Sequence, residues 1–411
     1  MSSGRKIGNA SRAGLLVLGA AALLTPIADA AAASYQVLYK FCSQSGCADG
    51  ENPQAGLAMD AAGNLYGTTA LWGAFGKGVV FQLAPDGTET VLHDFCSSSG
   101  CADGANPEAG LIVDSAGNLY GTTTAGGAGN SGVVFGLFPR PPPFAGYRYR
   151  ILYSFCTQSG CADGALPIAG LTADTTGNLY GTTRDGGTAD AGVVFKLAPD
   201  GTETVLYNFC SLDGCADGAN PEAALIMDAA GNLYGTTFAG GGFGSYGVVF
   251  ELAPDGTETV LYSFCARIAC VDGWLPNRAG LITDAAGNLY GTTFAGGFGN
   301  HGVLFRLAPD GTETVIWNFC TLSGCADGEN PNGGVVADAA GNLYGMTLYG
   351  GTFGKGVVFQ LAPDGTETVL HNFCSQSGCA DGGWPMGELI LDAVGNLYGT
   401  TYDDVVFELT P

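Results

Sequence analysis

The sequence predicts an all-β fold: a seven-bladed β-propeller of four-stranded blades, with the ring closed by an N-terminal strand that completes the last blade. Three observations lead there. Seven near-identical copies of one segment fill residues 34–411, at a period of about 54 residues. Each copy holds four short strand signals bounded by turn residues. The chain also begins and ends out of phase with the repeat. Antiparallel strands joined by tight turns and repeated radially are the signature of propeller blades.

The second copy shows the four strands in order. Strand a is expected at Ala109 to Asp114, strand b at Asn118 to Thr123 and strand c at Gly132 to Leu137. Strand d, delayed by an insertion, ends at Ile151 to Phe155. Val, Ile, Leu, Tyr, Phe and Thr dominate these runs, as a pleated, half-buried surface favours. A Gly-Asn pair such as Gly117-Asn118 turns a into b, and Pro-Asp-Gly such as Pro85-Asp86-Gly87 turns c into d in five copies. Gly and Asn tolerate positive φ and Pro presets a turn, so both are hairpin chemistry. The first copy starts on a lone strand d, Tyr35 to Phe41. The last copy stops after strands a, b and c, at Gly387 to Asp392, Asn396 to Thr401 and Asp404 to Leu409. The lone first strand supplies the missing fourth one, which removes the exposed edges of an open stack.

Residues 1–30 are expected to lie outside the propeller. Arg5, Lys6 and Arg12 precede an apolar run, Ala13 to Leu24, and Ala28-Asp29-Ala30 offers a small-residue cleavage site. This is a secretory signal pattern. The run is shorter than the roughly 20 residues of a membrane span, and no later segment is a transmembrane candidate.

Composition restricts partners. Fourteen Lys and Arg stand against 38 Asp and Glu, a formal net charge of −24. Such a surface repels nucleic acid and anionic membranes. The expected partner is an extracellular ligand, glycan or protein, and the chain is expected to be a monomer without cofactor or resident metal. Only three histidines occur, at 93, 301 and 371, and no nucleophile–base pattern stands out.

The 14 cysteines form seven Cys-x4-Cys pairs: Cys42/Cys47, Cys96/Cys101, Cys156/Cys161, Cys210/Cys215, Cys265/Cys270, Cys320/Cys325 and Cys374/Cys379. Even pairing in an exported chain reads as disulfides, and both members of each pair lie in one loop. Closing so short a loop stabilises by roughly 2 kcal/mol, so stiffening the loop is the expected role. A metal site is the rival reading, but one pair supplies two ligands and a tetrahedral site would need two blades to cooperate.

The segments Gly231-Asn232-Leu233-Tyr234-Gly235-Thr236-Thr237, Gly247-Val248-Val249-Phe250 and Thr259-Val260-Leu261-Tyr262-Ser263-Phe264, with their counterparts in the other copies, resemble the GloVer tandem repeat. That repeat is found in bacterial choice-of-anchor tandem repeat GloVer-containing proteins. The resemblance covers nearly all of the chain after the signal segment. It implies an exported bacterial protein, secreted, periplasmic or at the cell surface, of propeller-like fold and undefined activity. It transfers no catalytic residues. Members often end in a surface-sorting segment, and the sequence departs from that by running to Thr410-Pro411 directly after its last strand.

The expected site is the face carrying the long b–c and d–a loops, because binding residues concentrate on loops held by a rigid scaffold. Aromatics stand there: Trp72, Phe75, Phe238, Phe243, Tyr246, Phe294, Phe298, Tyr349, Phe353 and Tyr402, with Trp274 and Trp384 from d–a loops. They either stack on sugar rings or peptide side chains or fold down over the blade ends. One Asp per copy, Asp49, Asp103, Asp163, Asp217, Asp272, Asp327 and Asp381, precedes a Gly and is expected to be structural. Glu108 and Glu222 recur at equivalent places and read as architectural. The Pro-rich stretch 138–144 is either a stiff, extended docking handle or, the expected reading, a tolerated loop insertion. The alternative function is a hydrolase or lyase acting on an extracellular polysaccharide, which would require a deep axial pocket with unmatched carboxylates.

Overall fold

The computed structural model describes residues 1, 33–141, 143–242, 244–276, 278 and 280–411. The expected signal segment and Phe243 therefore lie outside the described residues, apart from Met1. Residues Ala33–Pro411 form one compact unit.

Seven antiparallel sheets make the ring, each with its strands in the order a-b-c-d. In blade 1 these are Ala58–Met59, Leu65–Thr69, Val79–Leu83 and Glu89–Asp94. Strand a is only two residues long in every blade, shorter than the sequence suggests. Blade 6 gains an extra piece, Glu329–Pro331, that pairs with its strand b. The closing blade is built as expected. Ser34–Lys40 pairs antiparallel with Val405–Thr410, in register from Ser34 opposite Thr410 to Lys40 opposite Val405.

One expectation is corrected. Part of the insertion at 138–144 is not a loop. Strands c and d of blade 2 extend to Val133–Pro139 and Tyr147–Ser154, with Phe138 opposite Arg148 and Pro139 opposite Tyr147. Aromatics hold the extension down: Phe138 meets Tyr120 edge to face at 5.9 Å, and Tyr147 meets Tyr66 of blade 1 at 6.5 Å.

The core repeats with the sequence. Val79, Val80 and Phe81 of strand c are completely buried, as are their counterparts. Gly67 on strand b makes room, since a Cβ there would meet the Phe81 ring at 2.6 Å. A Phe at the end of each strand d then packs edge to face on the strand-c Phe of the next blade. Phe41–Phe81, Phe95–Phe135 and Phe373–Phe407 stand 4.7, 5.1 and 5.4 Å apart. Buried threonines add inter-blade hydrogen bonds: Thr68 donates to the Ala109 carbonyl at 3.2 Å, and Thr400 donates to that of Ala55 at 2.9 Å. The Phe–Phe contact repeats at all seven junctions and the threonine bond at five of them, Met346 standing at that position in blade 6, so the ring offers a stiff platform for its loops.

Candidate functional site

All seven cysteine pairs close within their own loops. The disulfides are Cys42–Cys47, Cys96–Cys101, Cys156–Cys161, Cys210–Cys215, Cys265–Cys270, Cys320–Cys325 and Cys374–Cys379. The second cysteine of each pair (Cys47, Cys101, Cys161, Cys215, Cys270, Cys325 or Cys379) ends a three-residue 3-10 turn. All seven of these are half-buried, so none is displayed as a binding residue. Their role is to fasten the turn.

Both cysteines of each pair hold positive φ, for example 54° at Cys42 and 51° at Cys47, or 64° at Cys96 and 53° at Cys101. That conformation is unfavourable for a residue with a Cβ, so the loop must be held from outside. The buried Asp does this. Asp49 accepts the N–H groups of Ser43 and Gln44 at 3.0 and 3.3 Å, and the hydroxyls of Ser43 and Tyr39 at 2.9 Å. The seven Asp residues are therefore loop organisers, in line with the structural role expected of them.

The same Asp meets a second group from the following blade. At five junctions this is a Glu at the start of strand d: Glu89, Glu203, Glu258, Glu313 and Glu367. Burial, chiefly, pushes each of these carboxyls up to about 7, and the charge of the adjacent Asp adds to it. At the other two junctions the chemistry is exchanged. His93 Nε2 lies 3.3 Å from Asp103 and stacks on Tyr149 at 3.8 Å; His371 lies 3.2 Å from Asp381 and stacks on Tyr35 at 3.7 Å. His stands where other copies have Tyr or Trp, and Tyr stands where they have Glu. Burial lowers both imidazoles, against the pull of the Asp. Both histidines lie on strands d, the outer strands, away from the axis.

The axis holds a different cluster. A cavity of about 200 Å³ is lined by Glu108, Ile168, Glu222, Arg278, Met386 and Glu388, among others. Gly56, Gly110, Gly170, Ala224, Gly280 and Gly334 form a collar of small residues, and Glu388 stands at the seventh position. A Cβ on Gly280 would lie 2.5 Å from Glu388 Oε1, so only the collar's bare backbone admits that side chain. The Gly280 N–H donates to Glu388 at 2.8 Å. Burial raises the Glu388 carboxyl above the usual range, and the N–H groups of Gly280 and Gly334 oppose the shift. One level above, Arg278 reaches Glu108 at 2.8 Å and Arg184 reaches Glu222 at 3.2 Å. Burial raises Glu222, with the charges of Arg184 and Arg278 working against it. Glu108 and Glu222 do occupy equivalent positions, but the others in that ring are Gln54, Ile168, Arg278, Asn332 and Met386. The axial set is therefore asymmetric. Sequence reasoning missed Glu388 and Arg278, although the break in a column of glycines was the available signal.

The long-loop face carries the predicted aromatics in two groups. Trp72, Phe75, Phe298, Tyr349, Phe353 and Tyr402 are exposed. Phe238, Tyr246, Phe294, Trp274 and Trp384 are half-buried. The structure brings some of these together. Tyr246 meets Trp274 edge to face at 5.5 Å, and the Lys355 ammonium sits 3.0 Å over the Trp384 ring. Backbone bonds join Trp384 to Lys355 and Tyr402 to Trp384. The b–c loops that carry the exposed rings are pinned by strand-d side chains. Asp94 accepts from Ala74 N–H, Asn318 from Phe298 N–H and Asn372 from Thr352 N–H, each at 2.7 Å. Among the described residues no helix is long and apolar enough to cross a membrane.

A family model described as the Gloeobacter/Verrucomicrobia repeat matches residues 24–244 and 213–408. No curated protein matches the chain. Among solved structures, the chain is similar to the PQQ-bound aldose sugar dehydrogenase of Streptomyces coelicolor, at 15% identity and TM-score 0.45, covering 77% of this chain and 92% of that one. It is also similar to PorZ, a surface component of the type-IX secretion system of Porphyromonas gingivalis, at 14% identity and TM-score 0.49, covering 86% of this chain and 46% of that one. At these values neither likeness carries a functional argument.

Proposed function

The chain belongs to the Gloeobacter/Verrucomicrobia repeat family, and from that premise we propose that it is an exported binding module whose long-loop face holds an extracellular glycan or protein ligand. The observation that carries this reading is the display of aromatic rings. Trp72, Phe75, Phe298, Tyr349 and Phe353 are 47, 53, 80, 40 and 49% exposed. Their loops are fixed by hydrogen bonds to the blades, so little conformational entropy remains to be lost on binding. Rigid exposed aromatics suit sugar faces and peptide side chains. Export rests on the N-terminal signal pattern and on the seven disulfides, which persist in oxidising compartments.

The polysaccharide hydrolase or lyase reading would rest on the axial carboxylates, Glu388 above all. The cavity argues against it. At about 200 Å³ it is smaller than the roughly 300–1,000 Å³ of ordinary small-molecule sites. Its carboxylates are also partnered, Glu108 and Glu222 by arginines and Glu388 by an N–H. A glycan-array screen of the mature protein, followed by incubation with each captured glycan, separates the two readings. Retained ligand with no new chain ends is the expected result. Release of shortened products from a captured polysaccharide would replace the binding reading with the enzymatic one.

A further inference from the structure

Four metal-ligating side chains converge at one of the seven disulfide loops. A ring nitrogen of His301, the sulfurs of Cys320 and Cys325 and a carboxylate oxygen of Glu329 all lie within 4.8 Å of one another. They come from two blades. His301 closes the b–c loop of blade 5, the cysteines lie in the loop between blades 5 and 6, and Glu329 begins the extra strand of blade 6. This meets the condition that a single Cys-x4-Cys pair fails, that two blades cooperate.

The group is held in place by backbone. Asn330 donates its N–H to the His301 carbonyl at 2.8 Å, and Glu329 sits opposite Tyr349 in the blade 6 sheet. His301 Nδ1 is 2.8 Å and Cys325 Sγ 3.5 Å from Glu329 Oε2. Elsewhere around the ring the positions of His301 and Glu329 hold Lys77 with Ala105, Ser131 with Ala165, Ala191 with Ala219, Tyr246 with Trp274, Lys355 with Gly383 and Asp403 with Glu51. At the position of His301 the loops of Cys101, Cys161, Cys215, Cys270, Cys379 and Cys47 therefore meet no imidazole. Among the described residues, the Cys320–Cys325 junction alone brings an imidazole, a carboxylate and two sulfurs within 4.8 Å of one another.

We propose that reduction of the Cys320–Cys325 disulfide turns this junction into a tetrahedral zinc site with Cys320, Cys325, His301 and Glu329 as ligands. Two thiolates, one imidazole and one carboxylate suit Zn²⁺ in type and number. Zinc–ligand distances of about 2.0–2.3 Å place tetrahedral donors roughly 3.6 Å apart, so the four groups need only small shifts. A phosphine reductant supplies two electrons to the S–S bond. Water gives its oxygen to phosphorus and its two protons to the sulfurs. Zn²⁺ then displaces both thiol protons. In the oxidised protein the junction keeps its 2.8 Å contact between His301 Nδ1 and Glu329 Oε2.

Cobalt(II) serves as a spectroscopic stand-in for zinc. Titrating the full chain with Co²⁺ after phosphine reduction should give one equivalent of a tetrahedral visible band with thiolate charge transfer, bleached by Zn²⁺. The oxidised chain should give none. H301A and E329Q should each weaken Co²⁺ binding by at least about tenfold and shift the band. Their melts in the oxidised state show whether the fold is intact. A chain with the other six cysteine pairs changed to serine isolates the junction and keeps the remaining loops from contributing, and it should also bind one equivalent. No Co²⁺ uptake by the reduced parent and by the serine chain, or unchanged uptake and spectrum in both single variants, would overturn the proposal.

Discussion

Removing residues 34–41 should lower the melting temperature by on the order of 10 °C and make the protein prone to aggregation. The segment carries the whole outer strand of the closing blade, paired from Ser34 to Lys40 with Val405–Thr410. It also carries Phe41, which is 2% exposed and packs on Phe81 of blade 1 at 4.7 Å. Tyr35 and Val37 pack against the core that joins blades 6 and 7. The loss therefore opens the ring on both sides of blade 7 and leaves Val405–Thr410 as an unpaired edge. Phe41→Ala is a milder version and should cost about 3–5 kcal/mol, the usual range for an aromatic truncated in a core. Calorimetry on the two variants checks this. A deletion variant that melts with the parent would show that the first strand does not close the ring.

The second large effect is in pH. Glu89, Glu203, Glu258 and Glu367 are pushed up to about 7, with burial the main cause and a neighbouring Asp the next. Glu313 is raised to the same level although the Arg267 guanidinium lies 3.0 Å away. In the unfolded chain these groups ionise near 4.5. Between about 4.5 and 7 the folded protein thus holds protons that the unfolded chain releases, and stability falls as pH rises through that window. His93 and His371 act the other way. Their folded values lie below 6.5, so stability is lost as pH drops below the unfolded value. Five carboxyls against two imidazoles leave the first effect dominant. The melting temperature should be several degrees higher at pH 5.5 than at pH 8. Replacing Glu89, Glu203, Glu258 and Glu367 together with Gln should raise the melt at pH 8 and flatten the profile. An unaltered slope in that variant would place the pH dependence elsewhere.

What is legible in the sequence is what repeats. The strand order, the out-of-phase ends and the loop-local disulfides each follow from a unit seen seven times. The features that escape it depend on contacts between copies. Glu388 looks like one more variable residue until the collar of Gly280 and Gly334 shows why a side chain fits there. The exchange of Tyr and Glu for His and Tyr joins His93 to Tyr149 and His371 to Tyr35, pairs that lie in different blades. His301 and Glu329 meet only because neighbouring blades place their loops side by side. Strand a reads too long because Leu57 and its equivalents continue the apolar pattern into residues that pack the core without pairing as strand. The insertion reads as a loop because its prolines hide the pairing of Phe138 with Arg148.

The central claim is that the long-loop face binds and the short-turn face does not. The direct measurement is the affinity of an array-identified ligand for three proteins: the parent, a Trp72→Ala/Phe75→Ala double variant and Asp86→Ala. Trp72 and Phe75 stand exposed on the blade 1 b–c loop, whereas Asp86 lies in the opposite c–d turn and accepts the N–H of its local partner Thr88. An aromatic stacked on a ligand contributes on the order of 1 kcal/mol beyond its buried area, so the double variant should bind several-fold more weakly or worse. Asp86→Ala should bind like the parent. Equal binding by all three, or loss confined to Asp86→Ala, would contradict the assignment of the face.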